Sequence, residues 1–127
     1  MEKSKKFTIR GKQFVAKFPN VGQIIDLDAM KQALSSNRYA NMASSGLVSA
    51  YFALDLIDTI AFYQVVVPEV GKYFDIKNYA EMDLSEAKDL IDAYKEQIQP
   101  WYLETMNEIR GVAAQSVEDA GKSKSDS

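Results

Sequence analysis

The sequence contains no cysteine and no histidine. Without them the chain has no disulfide bond, no zinc site built from the usual sulfur and imidazole ligands, and no thiol or imidazole for catalysis. Glycine and proline are also scarce, at six and three of 127 residues, which excludes collagen-like and low-complexity classes. Hydrophobic residues make up 46% of the chain and charged residues 26%. This length and composition predict one globular domain with a substantial core.

Long apolar segments are nearly absent as well. Residues 1–6 are basic, but no apolar stretch with a small-residue cleavage site follows them, as a secretory signal would require. The longest apolar segment, 47–67, contains Asp55 and Asp58, and two carboxylates would cost about 2.5–3.5 kcal/mol each inside a bilayer. We therefore expect a buried core helix here, no membrane partner, and a protein that stays in the cytoplasm where it is made.

Charge is distributed unevenly along the chain. Residues 1–20 carry six basic side chains and one acidic side chain, a balance of +5, whereas residues 21–127 carry nine basic and seventeen acidic ones, a balance of −8. A basic flank on an acidic body favours docking on an acidic protein, on a second copy of the chain, or on a nucleic acid. The acidic body and the missing recognition motifs make nucleic acid the weaker choice. The alternative is a solvated hairpin whose lysines discourage edge-to-edge aggregation.

The first part of the chain has the pattern of a β-hairpin over residues 6–18. Apolar residues alternate with polar ones on both sides of Gly11 and Lys12, which predicts a two-residue turn with glycine first. That turn would place the apolar residues of both strands on one face. The predicted cross-strand pairs are Ile9 with Phe14 and Phe7 with Ala16.

The remainder of the chain has helical patterns. Apolar residues recur at steps of three and four, and the pairs Asn20 with Gln23 and Asp83 with Glu86 have the spacing of capping boxes. Pro100 is expected to be the first residue of a last helix. The predicted helices cover residues 21–34, 38–44, 47–66, 84–99 and 100–110.

These patterns predict a mainly α fold of the α+β class, with an N-terminal β-hairpin followed by a compact bundle of about five helices. The predicted organisation is a flexible basic N-terminus (1–5), a single globular domain (6–110, with the hairpin at 6–18 and a helical body at 20–110), and a flexible C-terminal tail (111–127).

Candidate chemistry is limited to carboxylates. Asp55 and Asp58 lie three residues apart on one helical face and could share a metal ion or act as an acid and base pair. Nothing beyond this spacing supports either role, and the favoured alternative is two carboxylates at a helix edge that each meet a lysine, an arginine or a capped backbone. No phosphate-binding or dinucleotide-binding motif is present. We therefore assign no catalytic residue, no metal ligand and no cofactor.

A series of short motifs runs along residues 7–110. In order they are Gly11-Lys12-x-Phe14, Phe18-Pro19-x-Val21-Gly22-Gln23, Leu34-Ser35-x-x-x-Tyr39-x-x-Met42, Phe52-Ala53-Leu54-Asp55-Leu56-Ile57-Asp58, Val67-Pro68-Glu69, and Tyr94 followed by Pro100-Trp101-Tyr102. This order resembles small proteins encoded among the structural genes of tailed bacteriophages, in particular the crAss-like phages of gut Bacteroides-type hosts. None of the motifs is a catalytic signature.

The resemblance implies a component of the virion or an assembly factor. Its partners would be other capsid or tail proteins, or a second copy of the chain. One form is a head auxiliary protein seated between capsomers, and another is a tail-assembly chaperone that masks the tape-measure protein. A small enzyme or metal binder centred on Asp55 and Asp58 is a third hypothesis.

The expected mechanism is association. The basic hairpin would dock on an acidic surface or add its edge to a partner's sheet, while the helical body packs as a rigid wedge. Tyrosine is included among the contact residues because it joins a large contact area to a polar tip. The predicted contact residues are Lys5, Lys6, Arg10, Lys12, Lys17 and Tyr102.

Overall fold

A computed structural model of the protein describes residues 3–111. Its strands are β1 (Ser4–Ile9) and β2 (Lys12–Lys17), and its helices are α1 (Val21–Ser35), α2 (Tyr39–Ser44), α3 (Val48–Val65), α4 (Pro68–Tyr73), α5 (Leu84–Ala93) and α6 (Gln99–Ile109). A 3-10 turn covers Tyr79–Glu81, and a π turn (Tyr94–Ile98) joins α5 to α6 without a break. Because α5, the π turn and α6 form one continuous segment, five helical segments follow the hairpin. This confirms the predicted mainly α, α+β fold. The tail predicted for 111–127 lies outside the described residues, apart from Gly111.

The turn of the hairpin lies one residue earlier in the sequence than predicted. Arg10 and Gly11 form the turn with φ values of 50° and 80°, so both central residues are left-handed, as a type I′ turn requires. Phe7 pairs with Phe14 rather than with Ala16, and Ile9 pairs with Lys12. The predicted turn at Gly11 and Lys12 was wrong because glycine takes the second left-handed position instead of the first.

The shifted register leaves the apolar residues on the same face. Each strand residue pairs two positions away from its predicted partner, and side chains in a strand alternate with a period of two. The predicted buried face is therefore confirmed although the pairs are different. β1 begins at Ser4, so Ser4 and Lys5, which the sequence assigned to the flexible N-terminus, belong to the strand.

The core lies between the hairpin and the helices. The ring centroid of Phe7 is 5.6 Å from that of Phe14 and 6.3 Å from that of Tyr63 in α3. Phe62 and Tyr94 join the same cluster from α3 and the π turn. The Tyr63 hydroxyl donates a buried 2.7 Å hydrogen bond to the Leu90 carbonyl of α5. One apolar face of the hairpin is thus fixed on the helical body.

Helix ends follow the sequence signals in part. Asn20 and Gln23 form the predicted capping box, with side-chain to backbone distances of 2.9 and 3.0 Å. α5 begins at Leu84 as expected, but the Asp83 side chain makes no cap hydrogen bond. Asp83 instead accepts a 3.4 Å hydrogen bond from the Ser85 hydroxyl. The second predicted capping pair was therefore wrong.

Pro100 lies in the first turn of α6, close to its predicted place, but α6 is continuous with α5 through the π turn. Proline has no N–H to donate and its ring crowds the carbonyl four residues earlier, so it ordinarily kinks or breaks a helix. Here the backbone widens one turn earlier, where the Gln99 N–H donates to the Tyr94 carbonyl five residues back. This π turn accommodates Pro100 while the helical rod continues from α5 into α6.

Within residues 3–111, no helix combines the length and the hydropathy that crossing a membrane requires. The predicted core helix at 47–66 is α3, whose inward face contributes Leu54, Ile57, Ala61, Phe62 and Tyr63 to the interior.

Candidate protein-docking site

The hairpin has two outer edges that differ in their surroundings. The Phe18 N–H donates to the Lys3 carbonyl at 2.7 Å, so residues 3 and 18 form a hydrogen-bonded pair. In an antiparallel ladder such pairs alternate with pairs whose N–H and C=O groups point outward. With the observed register, the outward-pointing residues are Ser4, Lys6 and Thr8 in β1 and Gln13, Val15 and Lys17 in β2.

The edge of β1 is closed at Thr8 by the π turn. The Gln97 side chain accepts a hydrogen bond from the Thr8 N–H through Oε1 at 2.9 Å and donates one to the Thr8 carbonyl through Nε2 at 2.9 Å. A primary amide can satisfy both groups because it carries a donor and an acceptor side by side. Gln97 therefore takes the place that a neighbouring strand would otherwise fill.

Arg10 fixes the turn end of β1 to α5. Its Nη2 donates to the Glu86 carbonyl at 2.6 Å, and its Nε lies 3.1 Å from Asp89 Oδ2. The guanidinium also stands 5.2 Å from the centre of the Phe74 ring, a distance at which a cation and an aromatic face attract. These contacts also explain why a non-glycine residue holds the first left-handed position of the turn.

The edge of β2 is open. Within residues 3–111 the outward N–H and C=O groups of Gln13, Val15 and Lys17 have no hydrogen-bond partner. A groove of about 980 Å³ runs beside this edge. Its far wall comes from the start of α1, the residue after α3, and α4. We call this feature the β2 groove; besides β2 it is lined by Phe18, Asn20, Gln23, Val66, Glu69, Lys72 and Tyr73.

The β2 groove is positively charged and partly apolar. Lys12, Lys17 and Lys72 line it together with one carboxylate, Glu69, and none of the four forms an ion pair within the described part of the chain. The Lys12 ammonium lies 5.1 Å from the centre of the Tyr73 ring. The site thus offers main-chain donors and acceptors beside three cations. That combination suits an extended, acidic polypeptide.

The structure brings only some of the predicted contact residues together. Lys12 and Lys17 both line the β2 groove. Lys6 is exposed opposite Val15 on the outer face of the hairpin, and Lys5 is half-buried opposite Ala16. Arg10 is bound to α5 on the other side of the hairpin.

Tyr102 lies against the core rather than beside the hairpin lysines. Its ring centroid is 5.4 Å from that of Phe18 and 5.6 Å from that of Phe62. Burial, together with the nearby Asp58 carboxylate, raises the pKa of the Tyr102 hydroxyl. The ring therefore serves mainly to pack the end of the hairpin onto α6.

Sequence reasoning missed Lys72 and Tyr73. Both belong to α4, inside residues 68–82, where the sequence indicates a short helical start at Pro68 and Glu69 but no contact residue was assigned. Proline and an acidic residue are favoured in the first turn of a helix. A helix beginning at Pro68 does not by itself place these side chains near the hairpin. Their position there depends on how the chain returns to the hairpin, which the sequence does not show.

Asp55 and Asp58 are each paired with a lysine. Lys95 Nζ lies 2.8 Å from Asp55 Oδ2, and Lys31 Nζ lies 3.4 Å from Asp58 Oδ1. The Tyr39 hydroxyl donates to Asp58 at 2.6 Å, and burial together with this carboxylate raises the pKa of Tyr39. Within residues 3–111 no group of three or more acidic side chains could hold a metal ion. Of the partners expected for these carboxylates, a lysine, an arginine or a capped backbone, the structure shows a lysine in both cases.

A second exposed surface is apolar. Around the start of α3, Val48 is 82% exposed, and a groove of about 430 Å³ lies between Phe52 and the α5 residues Leu84 and Ile91. Single exposed apolar residues are ordinary, but a contiguous set is typical of a contact surface. We call this set the α3 apolar surface; it comprises Leu47, Val48, Tyr51, Phe52 and Leu84.

Comparison with known proteins finds no matching family model, no similar curated protein and no similar solved structure.

Proposed function

We propose that this chain is a non-enzymatic structural protein of a tailed-phage particle, an auxiliary component of the head that acts by protein–protein docking. The observation that carries the docking part is the open outer edge of β2, beside a groove, in a hairpin whose other edge is closed at Thr8 by Gln97. The phage assignment is supported by the resemblance of the motifs in residues 7–110. The partner would be another capsid or tail protein.

The β2 edge favours docking over a purely protective role for its lysines. Lysines on an edge strand can discourage aggregation, and Lys17 alone would serve that purpose. A protective edge does not need an adjoining groove, however. Here Phe14, Val66 and Tyr73 line the groove that runs along the unpaired backbone. Apolar area and unpaired main-chain groups side by side are what an added strand would use.

Mass spectrometry of purified particles tests this function. A virion component is expected in mature particles at a constant ratio to the major capsid protein, after washing with high salt. Particles from a host that expresses a tagged second copy supply the control for carry-over from the lysate. Absence of the chain from mature particles would contradict the proposal.

The α3 apolar surface favours a second candidate function, a tail-assembly chaperone for the tape-measure protein. Val48 and Phe52 present large apolar area to solvent near a groove between α3 and α5. A helix-in-groove contact of this kind would mask an apolar helical client. Under this function the chain is present in the infected lysate, co-purifies with the tape-measure protein, and is absent from mature particles.

A further inference from the structure

We infer that the β2 groove binds one extended segment of another protein as a third strand, with apolar side chains at the segment's centre and acidic side chains near both of its ends. This inference rests on the proposed docking function and names the chemistry of the partner. It is drawn from the backbone geometry of β2, the lining of the groove and its charges.

The backbone of β2 has the repeat that an added strand needs. Gln13, Val15 and Lys17 point their N–H and C=O groups outward at every second residue. An extended polypeptide presents matching groups at the same two-residue interval, about 6.6 Å apart. Since these groups have no partner within the described residues, a segment beside β2 would form hydrogen bonds without displacing any existing one.

The lining of the groove determines which side chains the segment should carry at its centre. Phe14 and Tyr73 contact each other edge to face with ring centroids 5.9 Å apart. Val66 adds aliphatic surface from the residue that follows α3. Alternate side chains of an added strand would turn toward these groups, so apolar residues at those positions would gain burial.

The charged residues of the groove determine which side chains the segment should carry near its ends. Lys12 and Lys17 stand at the two ends of β2, about 17 Å apart for an extended strand. Lys72 adds a third cation from α4, while Glu69 is the one carboxylate among the described residues that line the groove. Acidic side chains near both ends of the segment would therefore meet unpaired lysines, whereas basic ones would be repelled.

Other occupants fit this groove less well. A nucleic acid offers phosphate acceptors but no regular main-chain donors, so the outward carbonyls of Val15 and Lys17 would lose water without gaining partners. A second copy paired through its own β2 would bring two sets of Lys12, Lys17 and Lys72 against each other. An acidic segment from a different protein avoids both penalties.

The experiment is a titration of the isotope-labelled chain followed by NMR. The probe is a peptide of about six to eight residues, the usual length of a strand, with valines at its centre and glutamates near both ends. The same peptide with lysines in place of the glutamates controls for charge. A single-stranded oligothymidylate tests nucleic acid, and a dilution series of the chain alone tests self-pairing.

Two pairs of variants test the position of the segment. Val15→Pro removes an outward N–H from β2, and Lys6→Pro removes the corresponding N–H from β1, directly opposite in the register. Lys17→Glu reverses a charge in the groove, and Lys6→Glu reverses one outside it. If a proline variant fails to fold, the charge-reversal pair still tests the site.

We expect the acidic peptide to shift amide signals along Gln13, Val15 and Lys17 and to bind more tightly than the lysine peptide. Val15→Pro should abolish these shifts and Lys17→Glu should weaken binding about five- to tenfold, while both Lys6 variants bind as the original chain does. Shifts centred elsewhere, equal binding of both peptides, stronger binding of oligothymidylate, or self-pairing through β2 would overturn the inference. So would the absence of any shift at about 1 mM peptide.

The same variants separate this inference from the proposed function. Incorporation of Val15→Pro and Lys17→Glu chains into particles at the normal ratio would overturn the third-strand inference and leave the structural role intact. Absence of the original chain from particles, combined with peptide binding along β2, would overturn the particle role and leave the peptide site intact.

Discussion

The two edges of the hairpin carry the same backbone groups but have different surroundings. At β1, Gln97 satisfies both main-chain groups of Thr8, and Arg10 fixes the adjoining turn to α5. At β2, Val15 and its outward-pointing neighbours face an open groove. The β1 edge is thus closed at Thr8, whereas no described residue bonds to the outward groups of β2, and this difference gives the β2 edge a distinct role.

The closed edge also positions the open one. An isolated hairpin is marginally stable in water, but here its inner face is buried and its β1 side is bound to the helices. The edge of β2 is therefore held in an extended conformation before any partner arrives. A preformed edge lowers the entropy cost of adding a strand.

The largest expected loss of stability comes from removing the buried packing that supports both edges of the hairpin. Phe7→Ala deletes a ring that packs on Phe14 and Tyr63, and it should lower the free energy of unfolding by about 3–5 kcal/mol. Val15→Ala, on the outer face of the hairpin, is the control and should change it by less than about 0.5 kcal/mol. Denaturant unfolding measures both. Equal losses in the two variants would mean that the hairpin is not anchored through its inner face.

A smaller loss of stability is expected when only the edge of β1 is opened at Thr8. Gln97→Ala removes both hydrogen bonds to Thr8, so the free energy of unfolding should fall by about 1–2 kcal/mol. Gln97→Glu keeps an acceptor for the Thr8 N–H but loses the donor to its carbonyl, and it should lie between the original chain and Gln97→Ala. Thermal and denaturant unfolding give the order. A Gln97→Ala chain as stable as the original would remove the proposed difference between the two edges.

The smallest effect concerns the turn. Arg10→Asn keeps a residue that tolerates positive φ but removes the contacts with α5. In the original chain the Arg10 side chain is 39% exposed and that of Asp89 is 60% exposed. The ion pair between them should therefore contribute only about 0.2–1 kcal/mol to the free energy of unfolding. A double-mutant cycle with Asp89→Ala measures this coupling. A coupling well above that range would assign the closure of β1 to Arg10 instead of Gln97.

Local patterns in the sequence predicted much of the fold. The alternation of apolar residues predicted the buried face of the hairpin, and Asn20 with Gln23 predicted the start of α1 correctly. The register was wrong because a turn with Gly11 can place glycine at either central position. The position that Gly11 takes depends on the twist of the two strands and on the contacts of Arg10 with α5. The α5 residues that Arg10 contacts are more than seventy residues away in the sequence.

The candidate site was predicted only in part. The positive charge of Lys12 and Lys17 was visible in the sequence, but the contrast between the two edges was not. That contrast depends on Gln97, which is 89 residues from Thr8 and lies in a π turn that no sequence pattern indicated. The far wall of the groove comes from α4, a short helix whose packing depends on how the chain returns to the hairpin.

Amide hydrogen exchange at Thr8 and Val15 tests the central claim most directly. In the free chain Thr8 should be protected and Val15 should exchange nearly as fast as an unstructured amide, while Phe14 and Ala16 stay protected by the ladder. Adding the acidic peptide should slow exchange at Val15 and leave Thr8 unchanged. Protection of Val15 in the free chain, or rapid exchange at Thr8, would contradict the account.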